Sequence, residues 1–227
     1  MNVFQEKRRA LSKEGLHSRY IIEEGTPFII SSLIIAVLVL LSGLEVLSIL
    51  FFCIALFITW FFRNPSRNPP EKETLIVSPA DGRVIKIEEA QSEEIPGQTL
   101  RKISIFMNLF NVHVNRIPCS GQVQAIHYRE GKFFSANLDK ASELNERNTV
   151  VISMADGRKI VTIQIAGLVA RRIVWWIKEK DAVQKGERFG MIRFGSRLEV
   201  FMPLNFAVPV KIGDKVKAGE TPIGELI

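Results

Sequence analysis

The chain is poor in the residues that most often carry chemistry, with 2 cysteines, 3 histidines and 2 tyrosines in 227 residues. Cys53 and Cys119 lie far apart in unlike surroundings, so no disulfide framework is expected and a reducing compartment suits them. Neither cysteine has a ligand-spaced partner and no two histidines stand four apart, so the pattern offers no metal site. Glycine-rich phosphate or dinucleotide loops are missing as well. Charge reaches 24% of residues with a net +6, yet it is nearly absent between residues 28 and 62, where Glu45 stands alone. With 47% hydrophobic residues the composition excludes a disordered chain, and a mean hydropathy of +0.14 is high for a water-soluble globule.

The excess apolarity sits in that uncharged run. A single helix over its 35 residues would rise about 52 Å, whereas the hydrocarbon core of a bilayer is about 30 Å thick. Ser42, Gly43 and Glu45 interrupt the run, and a carboxylate at the bilayer centre costs about 2.5 to 3.5 kcal/mol. The pattern therefore predicts two helices, over 28–42 and 46–62, forming a hairpin. Lys7, Arg8, Arg9, Lys13 and Arg19 precede it and Arg63 and Arg67 follow it, so both ends are expected on the cytoplasmic side of the cell (inner) membrane. Contact with anionic lipid, about 1 kcal/mol per basic residue, accounts for the positive charge and leaves no case for nucleic acid.

Residues 1–27 thus read as a basic cytoplasmic arm, 28–62 as a membrane hairpin, and 63–74, with Pro65, Pro69 and Pro70, as an extended linker. From 75 to 227 the signal changes to alternation with turn punctuation. Ile76 to Ser78 precede Pro79-Ala80-Asp81-Gly82, Ile103 to Met107 form another run, and Val150 to Met154 join Ile160 to Ile165 through Asp156-Gly157. Segments 181–190 and 214–224 share Asp, Val, Gly and Glu at equal offsets and read as strand, turn, strand, similar to the hairpins of lipoyl and biotinyl carrier domains. The expected fold class is mainly β (α+β), a β-sandwich or barrel-sandwich-like domain behind an N-terminal α-helical membrane hairpin. Ser135 to Asn148, polar and without alternation, is expected to be a loop with a helical turn.

Taken singly, the reactive residues say little. His17 lies in the arm, His127 in an ordinary strand, and His113 in an apolar segment ending at Pro118. Asp81 fits a turn in which aspartate bonds its own backbone. The combination is more specific: Phe62-Arg63-Asn64-Pro65, Ser78 to Gly82, His113 to Pro118, Gly131-Lys132-Phe133 followed by Asn145 to Asn148, and Gly195-Ser196 near the end. Together these resemble the phosphatidylserine decarboxylases, in particular the short proenzyme form of bacteria and archaea, over most of the chain.

The resemblance implies a membrane-bound carboxy-lyase that converts phosphatidylserine to phosphatidylethanolamine and CO2 through a Schiff base. It implies self-cleavage between Gly195 and Ser196, in which Ser196 Oγ attacks the Gly195 carbonyl and the serine ends as a pyruvoyl group, an electron sink replacing pyridoxal phosphate or a metal. Large (1–195) and small (196–227) chains would form a heterodimer, with higher oligomers left open. By the same resemblance His113 is the acid that protonates the substrate carbon, and Asp81 belongs to the set that activates Ser196. Three positions depart from the family pattern: Arg116 stands where longer relatives carry a second histidine, Arg197 where threonine or serine follows the cleavage serine, and Asn64 where aspartate is frequent. Arg171 and Arg172 are candidates for the lipid phosphate, and solvated strand residues otherwise. Trp175 and Trp176 are expected in the core, with the bilayer interface as the alternative. A membrane adaptor or a lipoyl/biotinyl-like carrier is the competing reading, because Asp139-Lys140-Ala141 is similar to a lipoylation triplet, although no alternating β runs flank it.

Overall fold

The structure, a computed structural model, describes residues 20–132, 144–167, 172–193 and 196–227. The chain forms two compact units, residues 1–66 and 67–227.

In the first unit, helices run over Thr26–Leu41 and Glu45–Phe61. Pro27 pre-sets the first turn of one, and Glu45 opens the other, where a carboxylate meets the positive end of the helix dipole. Glu45 thus ends the interruption instead of lying inside it. Small residues form the seam: Ser32, Ala36, Ser48 and Ala55 are buried, and Ser48 Oγ donates to the Ala36 carbonyl at 2.8 Å. Large apolar side chains such as Ile34, Leu38, Ile49 and Leu56 point outward and are exposed. At their 16 and 17 residues the helices rise about 24 and 26 Å. The ends of the hairpin are tied together by Ile22 N to Phe62 O at 3.0 Å and Asn64 N to Tyr20 O at 2.7 Å.

The second unit is antiparallel β structure. Its largest sheet holds eight strands in the order β13-β2-β3-β11-β7-β6-β5-β9. These are β2 (Gly82–Ser92), β3 (Ile95–Met107), β5 (Gly121–Arg129), β6 (Arg147–Ser153), β7 (Lys159–Ala166), β9 (Ala182–Val183), β11 (Ser196–Pro203) and β13 (Lys215–Val216). Two three-stranded sheets complete it, one of β1 (Leu75–Val77), β14 (Pro222–Leu226) and β12 (Phe206–Ala207), the other of β4 (Val114–Arg116), β10 (Arg188–Ile192) and β8 (Ile173–Trp175). Alternation sends Ile103, Ile105 and Met107 of β3 and Leu198, Val200 and Met202 of β11 into the main core. Phe201, Val161, Val151 and Leu100 form a second cluster on the other face. Trp176 is buried and Trp175 stacks on Tyr128 at 5.3 Å, as core placement requires. Arg147 and Asn148, expected in a loop, already belong to β6, because β5 and β7 pair with them on both sides.

The short repeat seen in the sequence is half of a longer one. Ser78-Pro79-Ala80-Asp81-Gly82 leads into β2 and Ile117-Pro118-Cys119-Ser120-Gly121 into β5, and each lead is clasped by one copy of the repeat. Val84 N donates to Asp214 O and Val123 N to Asp181 O, both at 2.9 Å, while Gly219 N to Ser78 O and Gly186 N to Ile117 O are both 2.8 Å. The glycines that open β2 and β5 are required by close approach: a Cβ on Gly82 would meet Phe106 O at 2.3 Å, and one on Gly121 would meet Ser153 O at 2.3 Å.

Candidate active site

Ser196 opens β11 and is wholly buried. Because β11 lies between β3 and β7, Ser196 is matched with Met107 on one side and Ala166 on the other. Alternation puts Arg197 on the opposite face, with Nε 3.2 Å from Glu199 Oε1. The charge that replaces the usual threonine or serine is thereby kept out of the serine's surroundings.

Among the described residues, the serine hydroxyl meets a methionine sulfur that a carboxamide also approaches. Ser196 Oγ donates to Met107 Sδ at 3.4 Å, and Asn115 Nδ2 approaches the same sulfur at 3.7 Å. Asn115 Oδ1 accepts from Gln164 Nε2 at 2.7 Å, and Gln164 Oε1 from Asn148 Nδ2 at 2.9 Å. His113 is buried just before β4, its carbonyl accepting from Ile192 N at 3.4 Å. Counting by two along the extended backbone sets His113 and Asn115 on the same side of that strand. His113 Nδ1 lies 3.0 Å from the Asn111 carbonyl, which accepts only, so Nδ1 is the ring nitrogen that carries the hydrogen there.

Asp81 has different company. Its Oδ2 pairs with Arg67 Nη2 at 2.8 Å and its Oδ1 accepts from Ala218 N at 2.8 Å; Arg67 also reaches Glu220 at 3.3 Å. No hydrogen bond joins Asp81 to Ser196. Arg116 donates to the Gly186 carbonyl at 2.7 Å, and burial, helped by the Arg188 and Arg67 charges, lowers its guanidinium to about 10. Its backbone N also donates to Pro79 O at 2.9 Å, joining the Asp81 turn to β4.

The end of β7 is held by the 145–148 segment. Asn145 Nδ2 donates to Ala166 O at 2.7 Å and Ala166 N to Glu146 O at 2.9 Å. The buried Glu146 carboxylate accepts from Tyr128 OH at 3.0 Å and Ile173 N at 3.1 Å. Burial, then the Glu146 charge, pushes the Tyr128 phenol up to about 12. Arg172 is exposed, and its carbonyl accepts from Arg193 N at 3.3 Å. Among the described residues no group of three or more His, Cys, Asp or Glu side chains is placed to hold a metal ion.

The family model for phosphatidylserine decarboxylase matches residues 54–224. The chain belongs to that family. It is 56% identical over 209 residues to the phosphatidylserine decarboxylase proenzyme of Syntrophus aciditrophicus, covering 92% of this chain and 98% of the relative. It is 45% identical over 205 residues to that of Desulfotalea psychrophila (90% and 95%), and 52% over 169 residues to that of Rickettsia rickettsii (73% of each). Phosphatidylserine decarboxylases are carboxy-lyases, and the carrier and adaptor readings give way to that class.

Of the residues singled out for phosphatidylserine decarboxylase chemistry, the structure brings Ser196 and the His113 strand to one region, linked through Met107 and Asn115. Asp81 belongs to a separate ion-pair cluster. Arg67, read as a membrane-flanking cation, has its guanidinium in that cluster with only 11% of the side chain exposed. Gly195, Arg171 and the Asp139-Lys140-Ala141 triplet lie outside the described residues, as does His17. His127 is exposed and paired with Glu94 at 2.9 Å. Sequence reasoning held Asn115 and Asn148 only as members of matching segments, without a role, and passed over Gln164; an amide inside an apolar alternating strand, as at Gln164 between Ile163 and Ile165, was the available signal.

Proposed function

We propose that this chain cuts itself between Gly195 and Ser196 and, with the pyruvoyl group so made, converts phosphatidylserine to phosphatidylethanolamine and CO2 at a membrane surface. The observation that carries this reading is the placement of Ser196. It is a buried serine that opens a central strand, with Met107 and Ala166 beside it and, among the described residues, no charged group hydrogen-bonded to its hydroxyl. That setting fits the group: a residue becoming a new N-terminus keeps its strand from residue 197 onward. In the scission Ser196 Oγ gives up its proton and attacks the Gly195 carbonyl, and the peptide nitrogen leaves as an ester forms. Elimination then releases residues 1–195 as a carboxylate, and hydrolysis turns the dehydroalanine at 196 into the pyruvoyl group and ammonia. Held at residue 196, a pyruvoyl group would supply a carbonyl for the substrate amine and an electron sink for the pair left as CO2 departs.

His113 Nε2 exchanges the proton, since Asn111 holds the opposite edge of the ring. Asp81 acts at one remove, fixing the 78–82 turn and, through Pro79 O, the strand that bears His113. The apolar hairpin holds the protein at the cytoplasmic face of the inner membrane, and Arg172, with Arg171, receives the lipid phosphate. The large and small chains remain together as a heterodimer.

Intact mass of purified protein tests the reading. Two chains are expected, the smaller with residue 196 as pyruvoyl and trapped on borohydride reduction with phosphatidylserine. Ser196→Ala is expected to give one uncut chain, and a cut that persists in this variant overturns the assignment.

A further inference from the structure

Four buried side chains and the Ser196 hydroxyl form one directional chain across the core. Asn148 Nδ2 donates to Gln164 Oε1, Gln164 Nε2 to Asn115 Oδ1, and Asn115 Nδ2 to Met107 Sδ, the sulfur that also receives the Ser196 hydroxyl. Met107, Asn115, Asn148, Gln164 and Ser196 are each 0% exposed. They come from β3, β4, β6, β7 and β11, so the chain spans both sheets that meet at the serine. Each of the three carboxamides donates in the direction that leads to Ser196. At the far end Asn148 Oδ1 is buried with no hydrogen-bond partner. Reversing all three carboxamides would keep both amide–amide bonds but set Asn115 Oδ1 against the sulfur, lone pair to lone pair. Gly190 leaves room for the arrangement, because a Cβ there would lie 3.2 Å from Gln164 Nε2 and 2.4 Å from Val174 O.

The receiving end is mismatched in the uncut chain. A thioether is a weak acceptor, and here, wholly buried, it faces two donors, each of whose best partner is an oxygen. Conversion of Ser196 removes the mismatch: a hydroxyl donor is lost and a ketone oxygen, a strong acceptor, arises on the Cα of the same residue. The pocket is better matched to the product of the scission than to the serine.

We propose that Asn115 is a catalytic residue of the mature enzyme, its Nδ2–H binding the ketone oxygen formed at residue 196, with Gln164 and Asn148 as positioning residues that keep the carboxamide turned that way. This rests on the pyruvoyl reading above. A donor fixed on that oxygen draws electron density toward it as the substrate amine adds, and the oxygen then departs as water when the imine forms.

The test uses the full-length protein made with serine carrying 13C at Cα, so that the ketone stretch is read by isotope-edited infrared spectroscopy. Asn115→Leu is expected to be cut to completion by intact mass and to show the ketone band at higher frequency than wild type. Its reaction with hydroxylamine slows, and kcat falls about 10² to 10³-fold, the range for loss of one such donor, with KM little changed. Gln164→Met, which frees the carboxamide to turn, is expected to give a smaller shift in the same direction. A ketone band and hydroxylamine rate equal to wild type in Asn115→Leu overturn the proposal, whatever happens to turnover; should that variant fail to fold, an unshifted band in Gln164→Met overturns it alone. Failure of Asn115→Leu to be cut would place the residue's role in the uncut chain and also overturn it. A wild-type protein with no cut and no labelled ketone sinks the pyruvoyl reading itself, a result distinct from any of these.

Discussion

Asp81 and Ser120 hold equivalent places in the two halves of the β unit, and an ion pair separates them. Each accepts a backbone N–H from the clasping repeat, Asp81 Oδ1 from Ala218 at 2.8 Å and Ser120 Oγ from Lys185 at 3.2 Å; only Asp81 adds Arg67. Asp81→Ser is therefore expected to keep the fold while losing about 3 kcal/mol or less. Breaking a buried pair costs about 3 to 5 kcal/mol, and here Arg67 retains Glu220. Urea unfolding measures the loss, and intact mass is expected to show the cut slowed but not abolished. The carboxylate was legible as a turn residue, but its partner Ala218 lies 137 residues away. Arg67 looked like a membrane flank for the same reason: a single sequence shows neighbours along the chain and not across it. Tyr128 allows a second check, because the chain has only 2 tyrosines. Glu146→Gln removes the second cause of its raised phenol, so the midpoint is expected to move down from about 12 while staying above 10, burial being the first cause. Phenolate absorbance followed against pH reads the change.

Periodicity made most elements legible because it records one buried face. The runs at 103–107 and 160–165 fall within β3 and β7, the run at 150–154 passes the end of β6 by one residue, and the apolar run divides into two helices. What alternation missed was length. β2 and β3 form a hairpin from Gly82 to Met107 whose outer residues pair as charges, Glu88 with Lys102 and Lys86, and such positions carry no hydrophobic period. The 181–190 and 214–224 repeat was legible, while its x-Pro-x-x-Gly partner at 78–82 and 117–121 was not, since the halves are joined by contacts far apart in the chain, among them the pairing of β9 with β5 and β13 with β2. Gly82→Ala and Gly121→Ala test that symmetry as a pair. Each sets a methyl 2.3 Å from a carbonyl oxygen of the neighbouring strand, so both are expected to cost about 1 to 3 kcal/mol, the range for overpacking. Thermal unfolding that leaves one variant at wild-type stability would show that the two leads do not play matching roles.

Two units of opposite character, an apolar hairpin and a β domain, were visible in the sequence because hydropathy changes sharply at the proline-rich stretch. The serine's position at the head of a central strand was not, because sheet order depends on pairings far apart in the chain. That position governs what a cut does to the whole molecule. Residues 196–227 contribute β11 to β14, and β11 pairs over its length with β3 and over six residues with β7. Seven of its eight residues are buried, while β14 pairs with β1 and β13 with β2. Scission at the start of β11 would leave these pairings in place from residue 197 onward. The two chains are therefore expected to co-elute in detergent on size exclusion and to separate only in denaturant. A chain ending at Gly195 lacks the strand between β3 and β7, leaves two long edges open to other molecules, and is expected to aggregate. Release of the small chain from folded protein under native conditions would mean that these pairings do not hold it.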